Sequence, residues 1–334
     1  MSGMGRREFI TLLGGAAAAW PITARGQQPS RIRRIAVQMS GAEADREMQA
    51  RVSALRQGLH DLGWIEGHNY QFEYRWPAND PELIKRQAVE LAALAPDVVV
   101  VGSALGVSTL RRETSTIPVV FVNVGDPVGG GLISSLARTG TNITGFTAFE
   151  YNTAGKWLEL LKEIAPQVVR VAFVFGGAEF GPTGEGFYRA LSVVAPSFAI
   201  ELNPIRVGSP ADIERVIETF AGTRDGGLVA AADGGATNNR ATILRAAERH
   251  RLPAVYPFRY WAADGGLAVY GVDLMYQYRR AATYVDRILR GTNPADLPVQ
   301  APDKFELIIN LKTAKSIGVE IPPLLLARAD EVIE

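Results

Sequence analysis

The sequence predicts an α/β protein of two Rossmann-like lobes, each built on a parallel sheet, joined by a hinge of several strands. Three observations carry this reading. From Arg33 onward, short β-branched runs alternate with amphipathic helical patterns, as in βαβ units. The second half then repeats the landmarks of the first at a nearly constant offset: Val171 falls 136 residues after Ile35, Ile213 falls 129 after Ile84, and Leu252 falls 135 after Ile117. At 334 residues the chain is also too long for one ordinary core.

Each element has a local reason. Arg34–Gln38 reads as a strand. Met48–Leu62 follows with apolar residues at Val52, Leu55, Leu59 and Leu62, a helical face that Gly63 ends. Tyr70–Trp76 alternates polar and aromatic residues, as a strand does. Asn79-Asp80-Pro81-Glu82 supplies a cap and a first-turn proline for the next helix. Asp97–Val101, Ile117–Val122 and Ile143–Phe146 complete the strands of the first half. In the second half, Arg170–Val174, the capped start Gly208–Ile213, Gly227–Ala231 and Leu252–Tyr256 occupy matching places. Beyond Asp273 come a helix over Tyr276–Leu289, a strand over Phe305–Asn310 and a helix over Leu311–Ile317 that Gly318 ends. This remainder is too short for a third lobe. Residues 27–147 then form lobe 1, completed by about 272–300, and residues 148–271 form lobe 2, completed by part of about 301–334. The chain crosses between lobes near 147, near 271 and around 297–304, which makes a hinge rather than a loose tether.

The first 26 residues read as an address. Arg6-Arg7-Glu8-Phe9-Ile10 precedes an apolar run from Phe9 to Trp20, and Ala24 and Gly26 give the small-x-small pattern of a signal-peptidase site. This is the pattern of a twin-arginine (Tat) signal peptide cleaved after Gly26. The run is only 12 residues long, against the roughly 20 a membrane span needs. Cleavage leaves 308 residues with a formal charge of −2, expected to be exported to the periplasm.

Composition excludes several chemistries. Lys+Arg and Asp+Glu are equal at 35 each, so there is no basic footprint for nucleic acid. No cysteine is present, which removes disulfides, thiolate nucleophiles and cysteine-ligated metals. The three histidines, His60, His68 and His250, have no metal-ligand spacing. There is no Gly-x-Ser-x-Gly elbow, Walker loop or dinucleotide fingerprint. Gly129-Gly130-Gly131 reads as a tight turn between a strand and a helix. No cofactor, metal or catalytic group is expected, and the chain is expected to be a monomer.

In open parallel sheets, ligands bind beyond the carboxyl ends of the strands, against helix N-termini. Two facing lobes therefore enclose a cleft. Its loops in lobe 1 are Met39-Ser40-Gly41, Gly102-Ser103-Ala104, Asn123–Asp126 and Gly145-Phe146. Those in lobe 2 are Phe175-Gly176-Gly177, Ala232-Asp233-Gly234 and Tyr256-Pro257-Phe258, with Tyr270 near the return crossing. Ser40, Ser103 and the amides around Ala104 suit a carboxylate. Asp126 and Asp233 suit an ammonium. Phe146, Phe175, Tyr256, Phe258 and Tyr270 suit an apolar wall. Together they point to an amino acid with an apolar or aromatic side chain, or an aromatic carboxylate.

Several stretches carry a family resemblance. They include Arg6–Gly15, Ile117–Phe121 with Gly125-Asp126-Pro127-Val128, Asn142–Gly145, Arg249–Tyr256, Ala295–Gln300, Lys304–Lys315 and Leu326–Glu331. In these the chain resembles the ABC-transporter substrate-binding proteins related to tryptophan- and tyrosine-binding lipoproteins, over essentially its whole length. The resemblance implies a type I periplasmic binding protein that delivers a small solute to an ABC permease in the inner membrane, without catalysis. It implies cleft positions for Asp126, Tyr256, Tyr270, Ser103 and Asp233. Two loops depart from the commoner pattern, the acidic Ser40–Asp45 and Gly176–Phe180. Both lie where ligand is read. A sensory module of the same fold and an exported enzyme are the competing readings.

Overall fold

The computed structural model describes residues 31–148, 151–180 and 182–334. The Tat-type signal and cleavage after Gly26 expected from the sequence fall outside the described residues. Lobe 1 opens with β1 (Arg33–Gln38), α1 (Arg46–Asp61) and β2 (Tyr70–Arg75). It continues through α2 (Pro81–Leu94), β3 (Val98–Val101), α3 (Ala104–Glu113), β4 (Val119–Val124) and β5 (Ile143–Thr147). These strands form a wholly parallel sheet in the order β2-β1-β3-β4-β5. Side-chain caps fix where the helices begin. Asp45 accepts from the Glu47 amide, Asp80 from those of Glu82 and Leu83, and Ser103 from that of Gly106. All four valines of β3 are fully buried, because helices cover both faces of the sheet.

Lobe 2 repeats the plan. Its elements are α4 (Gly155–Ile164), β6 (Arg170–Phe175), α5 (Thr183–Val194), β7 (Glu201–Arg206), α6 (Pro210–Ala221) and β8 (Gly226–Ala230). They continue with α7 (Gly234–Asn238), α8 (Arg240–Arg249), β9 (Ala254–Tyr256), α9 (Arg259–Ala263) and β10 (Ala268–Val272). The chain then passes through α10 (Leu274–Leu289), β11 (Phe305–Asn310), α11 (Leu311–Ile317), α12 (Pro323–Leu326) and β12 (Glu331–Ile333). The second sheet runs β12-β11-β10-β9-β8-β6-β7. Only the β10–β11 pair is antiparallel. The connection explains it. After β10 the chain crosses to lobe 1 as α10, and it returns as β11 in the opposite direction.

Helix α10 is the main bond between the C-terminal segment and lobe 1. It lies so close to α1 that a Cβ on Gly58 would stand 2.5 Å from the Arg279 carbonyl oxygen. Residues 297–300 then run beside β5, where the Gln300 amide donates to the Gly145 carbonyl (2.9 Å) and the Thr147 amide to the Gln300 carbonyl (2.9 Å). At the crossings, Gln277 Nε2 donates to the Thr147 carbonyl (2.6 Å), and Lys304 Nζ reaches Asp273 (2.7 Å). Three strands of chain thus link the lobes.

Two local readings differ. No helix follows Gly129-Gly130-Gly131. The carbonyl of Pro127 instead accepts from the amides of Leu132 and Ile133, Arg111 ties down the Gly131 carbonyl, and the turn buries both apolar side chains. Strand β7 has no alternating signal, because it is an edge strand in which only Ile205 is buried.

Candidate functional site

The carboxyl ends of both sheets face one cavity of about 70 Å³. That is several times the roughly 10–15 Å³ that one water requires, so the space suits a solute of several heavy atoms. Lobe 1 supplies Ser40 after β1, Ser103 and Ala104 after β3, and Asn123 near the end of β4. Lobe 2 supplies Asp233 after β8 and Phe258 after β9. Apolar walls come from Met48, Ile84 and Leu105 on one side and from Phe180 and Tyr260 on the other.

Of the residues expected at the cleft, the structure brings Ser40, Ser103, Ala104 and Asp233 together there, with Phe258 from the aromatic set. The other five lie elsewhere. Phe146 is buried in lobe 1 against Tyr284, with ring centroids 4.9 Å apart. Phe175 is fully buried in lobe 2 and stacks on Tyr188. Tyr256 stacks on Trp261 at 4.8 Å within the same core, and burial raises its phenol pKa above the ordinary value. Tyr270 stacks on Phe305 beside the hinge. All four are strand residues, and strand side chains point into the helix-covered faces rather than off the strand end. Asp126 lies beyond β4 with φ of 29°, and its carboxylate turns back to accept from the Gly129 amide (2.8 Å).

Asp233 has a defined local role. It caps α7, with Oδ1 accepting from the Ala236 amide (2.8 Å) and Oδ2 from the Gly176 amide (2.8 Å). Burial pushes its carboxyl up to about 6, and the amides of Ala236, Gly176 and Gly235 oppose that push. No cation neutralises it within the described residues.

The sequence reading missed Arg51. This residue is 1% exposed and lines the cavity from α1. Its Nε donates to Glu47 Oε1 (3.2 Å), its guanidinium lies 5.6 Å from the Tyr260 ring centre, and its Nη2 has no hydrogen-bond partner. Burial works against the charge, but Glu47 and the hydroxyls of Tyr278 and Tyr260 outweigh it and hold the pKa above the ordinary value. Asn123 brings a second unpartnered atom, its buried Oδ1. The signal for Arg51 was a charge on an apolar stripe, three residues after Met48 and four before Leu55.

The lobes also touch across the cleft mouth. Asn79 Nδ2 of lobe 1 donates to Asn238 Oδ1 of lobe 2 (2.7 Å), and Arg51 meets Tyr260 deeper in. Asn79 holds a left-handed φ of 55°, which asparagine tolerates better than most residues.

A family model described as ABC transporter substrate binding protein matches residues 36–333. The chain belongs to this family. Its two-lobed architecture is that of the type I periplasmic binding proteins. Among its relatives is a tyrosine-binding protein of Clostridioides difficile, 23% identical over 262 residues, which span 78% of this chain and 74% of the relative. A solved structure of a conserved domain protein from Vibrio cholerae superposes with a TM-score of 0.84 at 27% identity, covering 90% of this chain and 100% of that one. A domain from Streptococcus pneumoniae in complex with L-Trp superposes at 0.80 with 20% identity, again covering 90% and 100%. Within this substrate-binding family, the interlobe cavity is the natural place for a solute.

Proposed function

We propose that this protein is the periplasmic solute-binding component of an ABC importer. It holds a small ligand between its lobes by hinge closure and delivers it to a permease in the inner membrane. The ligand is an amino acid with an apolar or aromatic side chain, or an aromatic carboxylate. The observation that carries this reading is the cavity at the carboxyl ends of both sheets, with charged, hydroxyl and aromatic groups converging on it and Asn79 bonded to Asn238 across the lobes. The names of the relatives, a tyrosine-binding protein and a protein complexed with L-Trp, support the ligand class. The twin arginines before a short apolar run support export.

The test is mass spectrometry of small molecules released by denaturing gently purified protein, followed by thermal shift with the compound found. Ligand that binds only the folded state stabilises it by about 2.7 kcal/mol at a hundredfold excess over Kd. Release of an amino acid or aromatic acid that raises Tm supports the assignment. A sugar or polyamine that does so overturns the ligand class, and turnover of the released compound overturns the binding-protein reading.

A further inference from the structure

We infer that Arg51, with the N-terminus of α3, forms the acid-reading end of the cleft, so that the solute is chosen first by its carboxylate and only second by any amine. This deepens the proposed solute-binding role and rests on it.

Two independent features of lobe 1 meet in the same cavity. The first is the guanidinium of Arg51, which is almost wholly buried. Glu47 occupies only its Nε side, and Nη2 is left without a partner. A buried N–H donor without an acceptor is costly, and an ionised acceptor is the group that relieves it best. The second is the start of α3, a ten-residue helix whose first residues, Ala104 and Leu105, line the cavity beside Ser103. Ser103 Oγ caps the Gly106 amide, so the side-chain cap satisfies one amide of the first turn. The amides before it, together with the helix dipole, favour negative charge at this end.

The other end of the cleft differs. Asp233 is the carboxylate on the lobe 2 side, and both of its oxygens already accept from backbone amides. A further acceptor in the cavity, without a partner, is neutral: the amide oxygen of Asn123 on the lobe 1 side. An amine therefore meets a carboxylate already engaged and a neutral oxygen, whereas an acid meets a buried guanidinium that is paired with Glu47 through Nε and has its Nη2 donor left over. Tyr260 stands 5.6 Å from that cation, and Phe180 and Phe258 line the same cavity, which suits an apolar or aromatic body attached to the acid.

Calorimetry with three probes separates the two ends: L-tyrosine, 3-(4-hydroxyphenyl)propanoate, which lacks the amine, and tyramine, which lacks the acid. The amine-free acid should bind within about tenfold of L-tyrosine, and tyramine should be weaker by about a hundredfold or more. Tyramine binding as tightly as the acid overturns the inference. Arg51→Gln should weaken the acid by about tenfold or more and narrow the acid–tyramine preference by the same factor, whereas equal loss for both probes makes Arg51 a structural residue only and overturns the inference. The wild-type comparison stands even if that variant fails to fold. If none of the three binds while a neutral sugar or a polyamine does, the carboxylate assignment falls and solute binding stands. If no small molecule copurifies or binds, the proposed function falls too.

Discussion

Asp233 gives the sharpest quantitative expectation. Its carboxyl is pushed from an ordinary 3.8 to about 6 because it is buried, and this has a definite consequence for stability. Between those two values the folded protein holds a proton on Asp233 that the unfolded chain has released. Stability from this group is therefore present below about pH 4 and is lost as pH rises through 6. The shift corresponds to about 3 kcal/mol in order of magnitude, since one pKa unit is about 1.4 kcal/mol. Asp233→Asn removes the titration. It keeps one acceptor for the Ala236 or Gly176 amide and sets an NH₂ group against the other, so at low pH it should be the less stable protein by about 1–3 kcal/mol. Urea unfolding of both proteins at intervals from pH 4.5 to 7.5 isolates the group, because every other titration is common to the two. Relative to the variant, wild type should lose about 2 kcal/mol between pH 4.5 and about 6.5, and the difference should then stay level to pH 7.5. Curves that stay parallel across the range would refute the assignment of a raised carboxyl pKa to Asp233.

Three other perturbations test separate links. Gly58→Ala would place a Cβ 2.5 Å from the Arg279 backbone oxygen, so α1 and α10 must separate; a loss of about 1–3 kcal/mol in urea unfolding is expected, and an unchanged midpoint would show that the contact gives way freely. Asn238→Ala removes the hydrogen bond to Asn79 across the cleft mouth. Solution scattering should show a larger radius of gyration without ligand, and ligand affinity should fall by about fivefold, the worth of one ordinary hydrogen bond. An identical scattering profile counts against a closing role for that pair. Arg6→Lys combined with Arg7→Lys should leave unprocessed precursor in the cytoplasm, and normal processing in cells lacking the twin-arginine translocase would show another export route.

What the sequence makes legible, and what it hides, follows from the reach of its signals. Alternating β-branched runs and capped, proline-initiated helices such as Asp80-Pro81 and Ser209-Pro210 are local, and each is present in the structure at those positions. The loop rule worked through backbone position: Ser40, Ser103, Ala104 and Asp233 follow strand ends and line the cavity because the chain itself goes there. The aromatic candidates needed more than position. Phe146, Phe175 and Tyr256 stand one residue or less from a strand end, where the side chain is still committed to one face of the sheet, and that face is packed with helices. A shift of one residue decides between cleft and core, and composition carries no such register. Asn79 and Asn238, 159 residues apart, meet only because two lobes face each other, so their hydrogen bond leaves no trace in either neighbourhood.

Arg51 belongs to a third kind, legible in principle. Helix α1 buries Met48, Val52, Leu55 and Leu59, and Arg51 sits on that same stripe. An arginine there must be paired, must reach water along its stem, or must meet something that is not part of the chain. Glu47, one turn earlier, offers the first explanation and conceals the third, since an i, i+4 pair on a helix ordinarily reads as a solvated surface contact. Burial removes that reading: the arginine side chain is 2% exposed and its Nη2 is unmatched. Hydrogen-bond matching separates it from Asp233, which is also buried but accepts two amides. Asp233 answers to the fold around it, whereas Arg51 has a donor left over in a cavity of solute size. On the proposed reading, ligand selection would reside in lobe 1, on the helix between β1 and β2, with Tyr260 of lobe 2 already standing 5.6 Å from the same charge.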